Sequence, residues 1–253
     1  MGAVGSVRGA FDRMVHLLLP PACHGCRSPL TPGQEQVCQQ CRTLLRPGGH
    51  PRCSRCHAPR GTGVHPSRPC PECVHWPSEL NRARWSYVLA PPADALVHGL
   101  KYDGWPELAG FMAHRMARLV PPLKLPEETR LVPVPTTSER ERSRGYNQAH
   151  LLAWHLSREL GFPLLPGLAR QGGGGTQVSL QRDERRANVE EAFRPVPGAS
   201  TSLKDRVVLL VDDVLTTGAT ASAAARVLGA MGASHVTLLA FARTLDGSGA
   251  EGG

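Results

Sequence analysis

Lysine is nearly missing from this chain. Only Lys101, Lys124 and Lys204 occur among 253 residues, yet the formal charge is +8 and the sequence pI is near 9.4. The positive charge is therefore arginine, whose planar fork matches phosphate and carboxylate geometry. Such a balance suits a phosphorylated ligand or nucleic acid, and a high-GC genome yields the same composition. Aromatic residues are only 5% of the chain, while 27 glycines and 23 prolines promise many turns. No stretch approaches the ~20 apolar residues of a membrane-spanning helix. The N-terminal run MVHLLLP is broken by His16 and preceded by Asp12 and Arg13. It falls short of the roughly 7–15 uninterrupted apolar residues of a secretory leader. Residues 1–22 read as a short amphipathic helix, and a cytoplasmic location is expected.

Cysteine is absent after residue 73, and what precedes is highly ordered. The eight cysteines form four CxxC pairs: Cys23 and Cys26, Cys38 and Cys41, Cys53 and Cys56, Cys70 and Cys73. Two thiolates three residues apart grip one side of a tetrahedral metal from a tight turn, and two such turns close a four-thiolate shell. This spacing, met twice in tandem, predicts a double zinc ribbon over 23–80 with one or two structural zinc ions. Disulfides would need an oxidising compartment, and a redox CxxC usually comes singly near a βαβ pattern. Sequential and interleaved pairings both fit the spacing. His24, His57 and His75 adjoin cysteines and are alternative ligands or bystanders. The segment is too small and polar to fold on its core alone, so metal supplies folding energy. Each four-thiolate zinc cluster carries about −2, which lowers the net charge to about +4 (8 − 2 − 2). Arg27, Arg42, Arg52 and Arg55 either neutralise these clusters or contact a nucleic acid backbone.

From residue 81 to 245 the pattern is α/β. RARWSYVL, RLVPVP, DRVVLLVDD and HVTLLAFAR read as strands. Helices are expected in ADALVHGLKYDG, WPELAGFMAHRMARLV, NQAHLLAWHLSREL and ATASAAARVLGAMGA. Continuous apolar strands alternating with helices predict a doubly wound parallel sheet. QGGGGTQVSLQRDERRAN is expected to be mobile, and residues 246–253 are expected to form a disordered tail.

The densest chemistry lies in VVLLVDDVLTTGAT at 207–220. Ligands of such sheets bind beyond the carboxyl ends of the strands. Asp212 and Asp213 stand at that end, and the loop after them opens a helix. Backbone N–H groups at the helix start, with hydroxyls of Thr216, Thr217 and Thr220, make a phosphate cradle. Gly218 lets the backbone approach the anion. The carboxylates repel phosphate and need another partner, which the hydroxyls of a sugar provide. An N-cap role would explain one aspartate but not two. The stretch reads as a ribose 5-phosphate site.

These motifs resemble the phosphoribosyl-pyrophosphate signature of type I phosphoribosyltransferases. The whole chain resembles the ComF family. The match runs through the paired cysteines, LKYDG at 100–104, VPVPTTSERERSRGYNQAHLLA at 132–153, TQVSLQRDERRANVEEAF at 176–193, the signature, and AFAR at 240–243. The resemblance implies a type I phosphoribosyltransferase-like sheet that binds phosphoribosyl pyrophosphate with Mg²⁺. It implies that Asp212 and Asp213 hold the ribose hydroxyls, and that Thr216, Thr217, Gly218, Ala219 and Thr220 hold the 5-phosphate. The stretch after Pro133, Val134 and Pro135 is expected to meet pyrophosphate, with charge from Arg140, Arg142 and Arg144. Lys101 and Arg185 are further phosphate candidates, and Arg144 joins the aspartates as a catalytic candidate. A loop closing over the site is expected at 138–148 or at 171–188, the latter with Arg185 and Asn188. No motif identifies an acceptor. The family is associated with DNA uptake and transformation, which implies single-stranded DNA and other competence proteins as partners. The resemblance thus implies phosphoribosyl transfer to a nitrogen acceptor or use of the site in DNA uptake. The alternatives are a non-catalytic single-stranded-DNA-binding factor with a sensor or remnant site, and a zinc module docking onto a partner protein.

Overall fold

The computed structural model describes residues 21–31, 34, 36–65, 67–171 and 192–245. Nearly all of the expected 1–22 helix, the 172–188 segment with Arg185 and Asn188, and the 246–253 tail lie outside the described residues.

The main sheet has four parallel strands in the order β1–β6–β5–β2. They are β1 (Leu80–Val88), β2 (Arg130–Pro133), β5 (Val207–Leu215) and β6 (His235–Arg243). A small antiparallel hairpin, β3 (Leu168–Arg170) with β4 (Phe193–Pro195), stands apart. The central β5 is apolar on both sides because both faces are covered. Val208 and Leu210 face one core with α7 (Ala219–Ala230), while Leu209 and Val211 face the other. That second core is built on α2 (Ala93–Tyr102), α3 (Leu108–Ala117) and α5 (Gln148–Leu160). α5 starts at the Asn147 cap and stops where Gly161 turns left-handed, as its sequence pattern predicts.

The cysteine region is part of this body. A short helix, α1 (Gln39–Leu44), belongs to the first ribbon. Cys23, Cys38 and Cys41 join the α2–α3–α5 core, and Cys53, Cys56, Cys70 and Cys73 join the α7 core. The two ribbons therefore straddle the β1 edge of the sheet. Ribbon carbonyls also cap that edge: Ala83 N–H donates to Arg55 O at 2.8 Å and Val88 N–H to Arg46 O at 2.8 Å. An uncovered edge would offer these groups to other chains.

The arginines beside the cysteines are engaged within the chain. Arg55 donates to the carbonyls of Cys73, Trp76, Pro77 and Leu80. Arg42 donates to Val37 O and Arg52 to Gly49 O. Arg27 pairs with Asp103 at 3.3 Å and lies over the Trp105 ring. The expected loop at 138–148 is partly helical: α4 (Ser138–Arg144) starts at Thr137, whose hydroxyl accepts from Arg140 N–H, and ends at left-handed Gly145. Acidic residues in its first turn and basic ones in its last suit the helix dipole. A final short helix, α6 (Ala199–Leu203), precedes β5. Among the described residues no helix is long and apolar enough to cross a membrane.

The tightest link between ribbon and sheet is Arg243, which is fully buried at the end of β6. It donates to Cys56 O at 2.8 Å and pairs with Glu72 at 2.8 Å. Trp85 Nε1 donates to the same Cys56 carbonyl at 3.1 Å. Glu72 is about a third exposed, so water can receive its carboxylate if the arginine is lost. The main cost of Arg243→Met is then the lost carbonyl partner and the lost pair, about 2–4 kcal/mol. The thermal midpoint should drop by roughly 5–15 °C; an unchanged midpoint would show that the link adds no stability.

Candidate functional site

Two centres stand out, and the cysteines form the first. The sulfurs of Cys23, Cys26, Cys38 and Cys41 lie within 4.8 Å of one another, as do those of Cys53, Cys56, Cys70 and Cys73. Pairing is thus sequential. A tetrahedron with Zn–S of about 2.3 Å spaces its sulfurs by roughly 3.8 Å. Cys26 and Cys38 are 3.7 Å apart, Cys56 and Cys70 3.7 Å, and Cys53 and Cys73 3.9 Å. A disulfide would need about 2.05 Å. Backbone N–H groups of Gly25 and Cys38 point at the Cys23 sulfur, each at 3.3 Å, as suits a thiolate. Both four-cysteine shells are complete without a histidine; His24 packs on Trp105 and His57 contacts Arg52.

The second centre sits at the carboxyl-end side of β5 and β2; β5 runs on past the aspartates, so Asp212 and Asp213 lie within its second half rather than at its end. Asp213 is buried, and Lys101 Nζ from α2 lies 2.9 Å from its Oδ1. Asp212 Oδ1 accepts from the Asp213 N–H at 2.8 Å. Burial, and then the neighbouring Asp213 carboxylate, push the Asp212 carboxyl up to about 7. The Asp213 N–H, Lys101 and Arg170 oppose this shift without cancelling it.

The loop after the aspartates is shaped by the second ribbon. Gly218 caps α7 at φ +84. Trp76 Nε1 donates to the Thr217 carbonyl at 3.1 Å, and a Cβ at Gly218 would lie 2.5 Å from that indole nitrogen. Glycine is required here both by its backbone angle and by the tryptophan against it. Thr217 Oγ1 accepts from Ala219 N–H at 3.4 Å.

One open cavity of about 480 Å³ joins these parts. Lys101, Arg140, Arg144, Asp212, Asp213, Thr216 and Thr220 line it. A second cavity of about 450 Å³ shares Lys101, Tyr102, Arg140 and Arg144 with it. Arg140 and Arg144 are one turn apart on α4 and share a face, whereas Arg142 lies two residues on and lines neither cavity. Thr217, Gly218 and Ala219 build the loop without lining the cavity. The lining also includes Arg170, Asn147, Gln148 and Tyr102, which the sequence reading did not single out as site residues. RGYNQ now has a physical account. Arg144 lies over the Tyr102 ring at 4.9 Å, and Gly145 ends α4. Tyr146 O–H donates to Leu100 O at 2.9 Å. Asn147 caps α5, and its Nδ2 donates to Val134 O at 3.1 Å. Gln148 begins α5 against the cavity.

A parallel sheet with an acidic pair and a glycine-capped threonine loop at its carboxyl edge, joined to two four-cysteine shells, defines a phosphoribosyltransferase-type domain carrying a double zinc ribbon. A model described as "Double zinc ribbon domain" matches residues 14–74, and one described as "Phosphoribosyl transferase domain" matches residues 152–251. The chain is 35% identical over 191 residues to the DNA utilization protein YhgH of Salmonella typhimurium, an alignment covering 72% of this chain and 80% of that protein. It is 37% identical over 134 residues to competence protein F of Haemophilus influenzae, covering 53% and 57%. It is 34% identical over 100 residues to competence protein ComFC of Bacillus subtilis, covering 39% and 37%. The chain belongs to the ComF family of the phosphoribosyltransferase superfamily.

Two outcomes follow for these centres. Metal analysis of the purified protein should find two zinc ions per chain, and Cys56→Ser should lose one of them together with thermal stability. For Asp212, the folded carboxyl sits above its ordinary value, so the native state binds the extra proton. That contribution is complete below about pH 4 and is lost as the pH rises through about 7. Relative to Asp212→Asn, the wild type should therefore lose stability across that window. Parallel profiles in urea melts at pH 5, 6, 7 and 8 would contradict the raised carboxyl.

Proposed function

We propose that the chain binds phosphoribosyl pyrophosphate with Mg²⁺ and transfers the phosphoribosyl group to a nitrogen acceptor. The observation that carries this reading is one cavity lined by two adjacent carboxylates of β5, hydroxyls of a glycine-capped helix start, and the four cationic side chains of Lys101, Arg140, Arg144 and Arg170. In this reading Asp212 and Asp213 accept hydrogen bonds from the ribose hydroxyls, and Thr216 to Thr220 receive the 5-phosphate. The bond from C1 to the pyrophosphate oxygen breaks, and its electron pair departs with pyrophosphate. The acceptor nitrogen supplies the new bond to C1 and then loses its proton. Charge on the leaving group is the main electrostatic demand, and Arg140, Arg144 and Lys101 meet it from one side. Mg²⁺ bound with the ligand would screen the diphosphate, with Asp212 and Asp213 as the nearest carboxylates of the cavity to hold it. Eight cysteines with no disulfide among them suit a reducing compartment, and we place the protein in the cytoplasm.

A second reading gives the same cleft a role in handling DNA. The names of the relatives favour it, as does the aromatic Tyr102, 65% exposed at the cleft under Arg144. Single-stranded DNA would stack on the ring and meet the arginines, with strongly salt-dependent affinity.

Calorimetric titration of the zinc-loaded chain separates the readings. Phosphoribosyl pyrophosphate should bind in the micromolar range only with Mg²⁺, and Asp212→Asn with Asp213→Asn should weaken it at least a hundredfold while the protein still melts cooperatively. Equal affinity in the double variant would sink the first reading. Salt-dependent binding of single-stranded DNA without any response to phosphoribosyl pyrophosphate would favour the second.

A further inference from the structure

Trp76 stands between the second cysteine shell and the threonine loop, and it is held firmly at the shell end. Three residues after Cys73, its backbone N–H donates to the Cys73 carbonyl at 3.2 Å. Arg55, which sits between Cys53 and Cys56, donates to the Trp76 carbonyl at 3.2 Å and lies over the ring at 5.9 Å. The side chain is buried in the core that contains all four cysteines of that shell. The direction of the indole is thus set by the shell.

The other end of the indole meets the loop. Leu215 ends β5, and Gly218 caps α7 without a side chain to fix the turn. Trp76 Nε1 supplies a fixed point instead, at the Thr217 carbonyl, and its ring closes against Gly218. Thr216 and Thr220, on either side of this contact, line the cavity, whereas Trp76 lines neither cavity. A loop pinned at Thr217 and Gly218 presents those hydroxyls and the first N–H groups of α7 in one arrangement. An unpinned loop would have to be ordered by the ligand, and that entropy would be subtracted from affinity.

Resting on the phosphoribosyl pyrophosphate reading, we propose that Trp76 is a positioning residue for the 5-phosphate loop, through which the second cysteine shell sets ligand affinity. The indole does not touch the ligand. The link is reciprocal: a phosphate that holds the loop also holds Trp76, and through it the chain around Cys73. Zinc in the second shell is then bound more tightly when the ligand is present.

The test compares wild type with Trp76→Phe, which keeps a ring and removes the donor, in the full zinc-loaded chain. Phosphoribosyl pyrophosphate with Mg²⁺ and ribose 5-phosphate should each bind about tenfold more weakly to the variant. Pyrophosphate with Mg²⁺, which has no 5-phosphate, should bind both proteins equally, and the variant should keep two zinc ions. In equilibrium competition with a chelator, ribose 5-phosphate should raise the affinity of one wild-type zinc site several-fold and have no such effect on Trp76→Phe. Equal affinity of the two proteins for ribose 5-phosphate overturns this inference alone. So does a variant that weakens all three compounds alike, since Trp76 then serves the fold only. Should the variant lose zinc, the wild-type competition decides, and a zinc affinity unmoved by ribose 5-phosphate overturns the inference. A wild-type protein that binds neither phosphoribosyl compound overturns the reading of the site and this inference with it.

Discussion

The carbonyl of Cys56 is where the metal region, the sheet and the site meet. A zinc-shell cysteine presents it, and two buried side chains of the sheet, Trp85 and Arg243, donate to it. Those side chains come from β1 and β6, the edge strand and its central neighbour. Neither donor has a water alternative, because Trp85 and Arg243 are both at most 1% exposed. From this joint the ribbon runs on to Trp76, whose indole holds the Thr217 carbonyl and closes against Gly218. A cysteine shell that orders residues 53–73 therefore also sets the wall against which the threonine loop is shaped. A small cysteine-rich segment with little apolar residue of its own could not fix an indole in this way without metal or without the sheet it leans on.

The electrostatics of the cavity follow a similar logic. Two adjacent carboxylates, Asp213 buried and Asp212 half-buried, cannot both ionise cheaply, and the conflict is divided unequally. Asp213 takes the Lys101 ammonium, while Asp212 is left in a place where burial raises it. The site without ligand is therefore short of positive charge at one carboxylate and rich in it a few residues away, on α4. A ligand that brings hydroxyl donors and a cation to the aspartates, and anionic oxygens to the arginines, relieves both imbalances at once. A purely anionic ligand would satisfy only one side.

Much of the scaffold was legible because it depends on local pattern. The apolar run of β5, the Asn147 and Gly161 boundaries of α5, and the cysteine spacing all have physical causes within a few residues of themselves. The two-sided burial of β5 also follows from its lack of alternation. The elements that escaped depend on distant parts of the chain. Trp76 looks like a ribbon residue, and only the fold brings it to a loop 141 residues away. Arg243 ends an apolar run and would pass for a surface charge, since nothing in HVTLLAFAR signals a carbonyl and a carboxylate waiting for it. Arg170 lines the cavity with Asp212 and acts on its charge from a short strand with no pattern of its own. The SERERSR stretch lies in one of the two segments the resemblance offered for a closing loop, and it has no apolar face; it is helical all the same, through its Thr137 cap and the sense of its charges.

That last point bears on how the cleft works. The floor is anchored by buried strands, by α7 and by the Trp76 contact. The wall with Arg140 and Arg144 is a seven-residue helix with no buried residue. Isolated helices of that length are unstable in water, so α4 is held by its caps, by the Tyr146 hydrogen bond to Leu100, and by the Arg144 contact with Tyr102. Segments with so few buried contacts lie at the low end of local stability. The cleft thus combines a rigid side built on β5 and α7 with a weakly held side that carries the arginines of α4. Between them sit Asn147 and Gln148, at the junction where the weakly held wall becomes the firmly packed α5.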